Sequence, residues 1–233
     1  MSKHLTTIAK ISAGVLATAA LVYTGLPTAY YRGRQKLKKQ STTDKVVYLT
    51  FDDGPSQDTP ALLALLEKYH VPASFFVVGD FVKDHPETIL AMQKAGHAIG
   101  THSKDHTNAM FFTPQQTVTD FAASQASLRA IGVEPHFYRP PWGQFNLLTA
   151  PVAHKAHTKI ILWDVMAEDW RATSTVQQIT HKLRKRVKPG SIICLHDGRG
   201  RNQAPKRTIA ALEIFIPELL AQGYRFATVA EIE

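Results

Sequence analysis

From Val46 onward the chain alternates short apolar runs with amphipathic stretches of helical period, and this pattern restricts the fold more than any other feature of its 233 residues. Strand-length runs rich in β-branched and aromatic residues fall at 46–51, 74–78, 98–100, 136–138, 159–163, 191–195 and 225–229. Six helix candidates lie between them. Thr59-Pro60 opens the first with a cap residue followed by proline, and Leu62, Leu63, Leu65 and Leu66 give it an apolar face. The second runs from Pro86 to Lys94, and the third opens at Thr113-Pro114 and ends by Gly132. Leu147 to His157, Thr175 to Val187 and Thr208 to Gln222 complete the set, with Gly223 closing the last. Repeated strand–helix units imply a parallel sheet, because a parallel return needs a crossover long enough for a helix. The pattern predicts an α/β fold over residues 45–233 with about seven parallel strands, like an incomplete (β/α) barrel, with an open doubly wound sheet as the alternative. The first strand-to-helix turn, Phe51-Asp-Asp-Gly-Pro-Ser56, lacks the spaced glycines that cradle a dinucleotide, which counts against a nucleotide-binding version of the open sheet.

The charge is concentrated ahead of this domain. Residues 1–44 hold seven Lys or Arg against one acid, whereas residues 45–233 hold 20 bases against 18 acids. The folded part is nearly neutral, so the basic composition predicts no nucleic-acid-binding face. An apolar run from Ile11 to Leu26 is 16 residues long, and starting it at Leu5 gives 22 at the expense of including Lys10; about 20 are needed to span a bilayer. Residues 1–26 therefore read as a signal anchor or a signal peptide, with Ala29 a possible cleavage site and the anchor favoured, and residues 27–44 as a basic, polar linker. Membrane association is expected through residues 5–26. The single cysteine, Cys194, excludes a disulfide framework and reads as a small buried core residue.

The reactive residues fall just beyond the ends of predicted strands: Asp52 and Asp53 after the first, His102 and His106 after the third, Arg139 and Trp142 after the fourth, Asp169 and Trp170 after the fifth, His196 and Asp197 after the sixth. A parallel α/β architecture gathers these loops on one face. His102 and His106, four apart, are expected one helical turn from each other, so that both imidazoles meet one cation. A carboxylate from another strand end completes a three-ligand site with an open position, the arrangement of a catalytic zinc. One of Asp52 and Asp53 can ligate while the other accepts a proton from bound water, His196 can protonate a leaving amine, Asp169 can orient that imidazole, and Arg139 can hold the base. Two imidazoles and a carboxylate could also hold non-haem iron, but oxygenases of that kind sit on all-β barrels.

In this order and spacing, Thr50-Phe-Asp-Asp-Gly-Pro55, His102-Ser-Lys-Asp-His106, Arg139-Pro-Pro-Trp-Gly143, Asp169-Trp170 and Leu195-His-Asp197 closely resemble the five motifs of the polysaccharide deacetylase family, carbohydrate esterase family 4 with its NodB-homology domain. The resemblance implies a hydrolase that removes acetyl groups from an N-acetylated polysaccharide, peptidoglycan N-acetylglucosamine or a chitin-like glycan, breaking an amide that is not a peptide bond. It implies a distorted (β/α) barrel of seven strands, in agreement with the strand count, and Asp53, His102 and His106 as ligands of one divalent metal, usually zinc, with cobalt or nickel as alternatives. Asp52 then matches the general base, His196 the general acid, Arg139 the holder of the base and Asp169 the group that tunes the acid. Trp170 and Leu195 match apolar walls around the acetyl methyl, and the backbone N–H of Trp142 a donor to the oxyanion. The fourth motif usually carries an aspartate three residues before Asp169, where this chain has Met166, which puts support of His196 in question. The remaining readings are an esterase of O-acetylated glycan and an inactive wall-binding protein. A monomer is expected, at the cell membrane as a single-pass protein with an extracellular catalytic domain, or secreted; the five basic residues after the apolar run favour the opposite orientation on charge alone.

Overall fold

The computed structural model describes residue 10 and residues 12–15, 17–38 and 44–232. The start of the expected anchor and residues 39–43 of the expected linker lie outside these. Strands β1 (Val46–Asp52), β2 (Ser74–Val77), β3 (Ala98–Thr101), β4 (Phe137–Tyr138), β5 (Lys159–Ile160), β6 (Val165–Met166), β7 (Ile192–His196) and β8 (Arg225–Ala227) form one sheet, with every pairing parallel. Seven strands follow the order β5-β4-β3-β2-β1-β7-β6. Tyr48 on β1 pairs with Ile192 on β7 and with Ala227 on β8, so β8 takes the edge of β1 that β2 takes from Thr50 onward.

The two end strands decide between barrel and open sheet. Laid flat, seven strands about 4.8 Å apart would separate β5 from β6 by roughly 29 Å. The chain passes from Ile160 to Val165 in five residue steps, which reach at most about 18 Å. The sheet therefore curls until its edges approach, and the distorted barrel is correct. The fifth predicted strand, 159–163, is divided by this crossing. Its first half pairs with β4, the chain then leaves the sheet, and Val165–Met166 resumes beside β7.

Helices α2 (Thr59–Lys68), α3 (Pro86–Lys94), α4 (Pro114–Arg129), α5 (Thr149–Lys155), α6 (Val176–Arg186) and α7 (Ala204–Ala221) follow the predicted pattern. Capping boxes at Thr113 with Gln116 and Thr175 with Gln178 satisfy the first N–H groups of α4 and α6. The last helix starts at Ala204 rather than Thr208: Pro205 suits a first helical turn, and the Thr208 hydroxyl bonds within the helix to Ala204 O. Of the residues expected as a basic, polar linker, 27–38 are helical: α1 (Leu26–Lys38) follows a π-helical turn at Leu21–Gly25.

Side-chain alternation sorts the strands into two faces. Val47, Leu49, Phe51, Phe75, Ile193 and Leu195 pack outward against Leu62, Leu66, Leu212 and Phe215 of the helices. Phe76, Ile161, Ile192 and Val229, with Trp163 alongside, fill the barrel interior. Thr50, Asp52, Cys194 and His196 occupy the alternate positions, toward the C-terminal end of that interior.

Candidate active site and metal centre

Strand register brings the site together. Asp52 is paired with His196 across β1 and β7, and Thr101 with Tyr138 across β3 and β4, so that His102 and Arg139 emerge side by side. Asp52, the last residue of β1, is buried and points inward; Asp53 follows with φ 70°, a left-handed conformation that aspartate tolerates, and turns its carboxylate toward the histidines. Two glycines allow the neighbouring loop to close on this turn. A Cβ on Gly54 would sit 2.2 Å from Asp197 Oδ2, and one on Gly198 would sit 2.0 Å from Asp53 O.

Asp53, His102 and His106 each offer a ligand atom, and these lie within 4.8 Å of one another. Asp53 Oδ1 is 2.9 Å from His106 Nε2 and 3.4 Å from His102 Nε2, yet neither contact has hydrogen-bond geometry, and this buried oxygen has no hydrogen-bond partner among the described residues. The Nδ1 of His102 lies 2.7 Å from Arg139 O. A carbonyl only accepts, so Nδ1 carries the proton. Burial pushes the His102 pKa down against the pull of Asp52 and Asp53, which keeps the ring neutral with its lone pair on Nε2. Two acceptors thus confront each other in a dry site, and a cation between them satisfies both. Burial would raise the Asp53 pKa, but contact with His106 and the neighbouring imidazoles of His102 and His196 hold it well below the usual carboxylate range. The donors fit a divalent metal, and a carbonyl fixing the far ring nitrogen is the usual support for a ligating imidazole.

The two histidines converge as predicted, but not through a helical turn. Residues 102–106 form a loop in which Ser103 (φ 63°) and His106 (φ 66°) are left-handed, and helical spacing plays no part. The bend is held by Ser103 Oγ, which accepts the His106 N–H at 2.8 Å. The rings stand 5.1 Å apart.

On one side of this cluster Arg139 is fully buried and donates to Asp52 Oδ1 at 2.7 Å, Thr50 Oγ1 at 2.7 Å and the Ile161 carbonyl at 3.1 Å. Its guanidinium lies 4.1 Å from the Phe76 ring centroid. The other oxygen of Asp52 faces the Cys194 thiol at 3.3 Å and His102 Nε2 at 3.9 Å. On the opposite side His196 Nδ1 is 2.9 Å from Asp169 Oδ1, while Asp169 Oδ2 accepts from His196 N–H at 2.8 Å and the Thr208 hydroxyl at 2.9 Å. Burial alone would lower the imidazole pKa; Asp169, with Asp53 and Asp52 beyond it, outweighs burial and pushes it up to about 9. Met166 therefore leaves Asp169 well held, by Thr208 and the backbone. Asp164 does not substitute, since it accepts from Ile192 N–H at the other end of β7.

Trp142 (φ 56°) and Trp170 flank the centre, their rings 4.4 Å from His106 and 5.1 Å from His196. Leu195 does not join them. It is fully buried in the outer core, because the strand turns its neighbours Cys194 and His196 to the site and Leu195 away. Cys194 is buried, as expected, but against Asp52 rather than in apolar surroundings. Sequence reading also gave no role to Thr208 or Asp197. Asp197 Oδ2 accepts from Thr59 at the start of α2, Ser56 Oγ donates to Asp197 O, and burial pushes its carboxyl up to about 7. It braces the turn that carries Asp53. Counting alternate positions back from Asp52 and His196 would have found Thr50 and Cys194; nothing local marks Thr208.

A family profile described as polysaccharide deacetylase matches residues 39–161. The chain is 35% identical over 192 residues to a peptidoglycan-N-acetylglucosamine deacetylase of Bacillus cereus, covering 81% of this chain and 88% of that protein. It is 33% identical over 190 residues to a chitooligosaccharide deacetylase of Azorhizobium caulinodans, covering 76% and 90%. The crystal structure of a peptidoglycan N-acetylglucosamine deacetylase superimposes with a TM-score of 0.76 at 28% identity, over 82% of this chain and 88% of the other.

Proposed function

Because the chain belongs to the polysaccharide deacetylase family, we propose that it hydrolyses the acetamido group of N-acetylglucosamine residues in peptidoglycan or a chitin-like glycan, using Asp52 as base and His196 as acid. The observation that carries this reading is the disposition of Asp52, paired with Arg139, and His196, paired with Asp169, on either side of the Asp53–His102–His106 cluster. That donor set, two imidazoles and a carboxylate with room for a further ligand, suits zinc, with cobalt or nickel as alternatives. When bound, such an ion polarises the acetyl carbonyl and acidifies a water. Asp52 takes a proton from the water that adds to the carbonyl carbon. Arg139 donates to Asp52 Oδ1 and fixes that oxygen in place. His196 gives its proton to the sugar nitrogen as the carbon–nitrogen bond breaks, so that acetate and a free amine leave. Trp142 and Trp170 wall the acetyl group, and the Trp142 N–H serves the oxyanion.

The anchor is the reading supported for residues 1–26, because Tyr23 and Thr28 bond to the folded domain, contacts that cleavage at Ala29 would discard. A glycan substrate of the wall calls for the catalytic domain outside the membrane. The decisive experiment incubates the purified full chain with peptidoglycan, chitooligosaccharide and acetylated xylan and measures acetate. Release from the first two with little from xylan is expected. Release from xylan alone would overturn the amide assignment.

The acid has its own test. Asp169 is the chief group raising the His196 pKa, so Asp169→Asn lowers it and strips the proton at lower pH. The alkaline limb of the pH–kcat profile should move to lower pH, with kcat at pH 8 about tenfold down, less than the roughly 10²–10⁴-fold that losing a general acid outright would cost. An unmoved limb assigns it to another group.

A further inference from the structure

The N-terminal helix does not stand clear of the domain. Leu147 N–H donates to Tyr23 O at 2.7 Å, and the Tyr23 hydroxyl to Phe112 O at 3.0 Å. Thr28 Oγ1 accepts from Phe145 N–H at 2.9 Å, Tyr31 stacks on the Phe145 ring at 4.7 Å, and Arg32 donates to the carbonyls of Trp142 and Gly143. Ahead of Tyr23 the picture changes: Val15, Leu21 and Val22 are exposed. The helix Ser12–Gln35 is long and apolar enough to cross a membrane. Since, among the described residues, the contacts with the domain begin at Tyr23, a lipid-facing stretch ends at Val22, and the sequence from Leu5 to Val22 supplies 18 residues, close to the roughly 20 that a span requires.

The two loops that grip Tyr23 are themselves tied together. Asn146 Nδ2 donates to Ala109 O at 2.8 Å and Asn108 Nδ2 to Gln144 Oε1. Each loop holds out a large apolar side chain, Phe111 at 80% exposure and Leu147 at 53%. Single exposed apolar residues are ordinary. These two flank the point where an apolar helix leaves the domain, and they continue its exposed surface through Leu21, Val22 and Leu26. The sequence before Asp44 contains no acid, and Arg34, Lys36 and Lys38 follow the docked stretch, a composition suited to anionic headgroups.

We propose that Phe111 and Leu147, with Leu21 and Val22, form a membrane-docking surface that seats the catalytic domain directly on the bilayer, so that the site takes N-acetylated glycan held at the membrane surface. Nine residues separate Tyr23 from Arg32, about 14 Å of helix, and Arg32 touches the loop carrying Trp142. The site is thus within reach of the plane in which Tyr23 sits, and with no flexible spacer it does not travel outward. The glycan part rests on the deacetylase reading; the seat does not.

The test uses the full chain in phosphatidylethanolamine–phosphatidylglycerol vesicles. In the first arm, wild type and the double variant Phe111→Ser/Leu147→Ser are given a free chitooligosaccharide and the same oligosaccharide tethered to a vesicle lipid. Acetate release from the free sugar should change less than twofold, and release from the tethered sugar should fall at least fivefold. In the second arm, Phe111→Trp is compared with wild type in vesicles with brominated acyl chains, and the added tryptophan should be quenched. An unquenched tryptophan at 111, or equal losses on both sugars, overturns the proposal. Should wild type release no acetate from either sugar, the deacetylase reading fails while the quenching still decides the seat.

Discussion

Asp52→Asn is expected to reduce acetate release by about 10²–10⁴-fold while metal content stays at the wild-type level. The first expectation follows from the proton: an amide cannot accept one from water, and a positioned base contributes about this factor. The second follows from geometry, because the three groups that converge are Asp53, His102 and His106, and Asp52 has turned its Oδ1 to Arg139. The substitution also tests that pair. Arg139 is fully buried and Asp52 is its only recorded carboxylate partner among the described residues. Removing one member of a buried pair typically costs about 3–5 kcal/mol through the charge left behind. Asparagine keeps an acceptor for the guanidinium, so Asp52→Asn should melt only a little below wild type, whereas Asp52→Ala should show most of that loss. Steady-state acetate assays, elemental analysis of the metal and thermal melts of both variants separate the two effects. Near wild-type turnover in a metal-loaded, folded Asp52→Asn would move the base to another group.

The long periodic segments were legible in the sequence because one face of each had to be apolar. The leucines of α2 and the β-branched runs of β1 and β7 carry their burial in their spacing. Two-residue β6 could not be read that way, since a single apolar pair has no period; it exists because β7 offers an edge after the chain crosses the barrel gap. The residues of the candidate site were legible because their chemistry is scarce outside sites: paired aspartates, paired histidines and a lone arginine among prolines. Their conformations were not. Three left-handed residues, Asp53, Ser103 and His106, aim the metal-facing groups, and each depends on a loop meeting another loop. Leu195 was placed at the site by motif resemblance, which carries no orientation, whereas a strand sends neighbours to opposite faces and turns Leu195 into the outer core. Residues 27–38 were read as part of a basic, polar linker, while Thr28, Tyr31 and Arg32 within them are the groups that dock.

Removing the cation from the full chain with a chelator should abolish acetate release and lower the melting temperature, and one equivalent of zinc should restore both. Without a cation, Asp53 Oδ1 faces the lone pair of His102 Nε2 at 3.4 Å in a site too buried for bulk water to screen them. A ligand that binds only the folded state adds about 4 kcal/mol when present at a thousand times its Kd. For a domain of this size each kcal/mol moves the melting temperature by about 2–4 °C, so a shift of roughly 8–16 °C is expected. Asp53→Ala and His102→Ala should each lose the zinc-dependent shift together with activity, because either removes a ligand atom from a set of three. Asp169→Asn should keep the shift while losing turnover, since Asp169 reaches the centre only through His196. The pH dependence has a definite sign: protons compete with the metal for imidazole nitrogen, and burial holds the His102 pKa down, so zinc binding at that ring should persist below the ordinary histidine range. A melting temperature indifferent to zinc in the wild type, or a full shift surviving in Asp53→Ala, would mean that the three side chains converge for some purpose other than holding an ion.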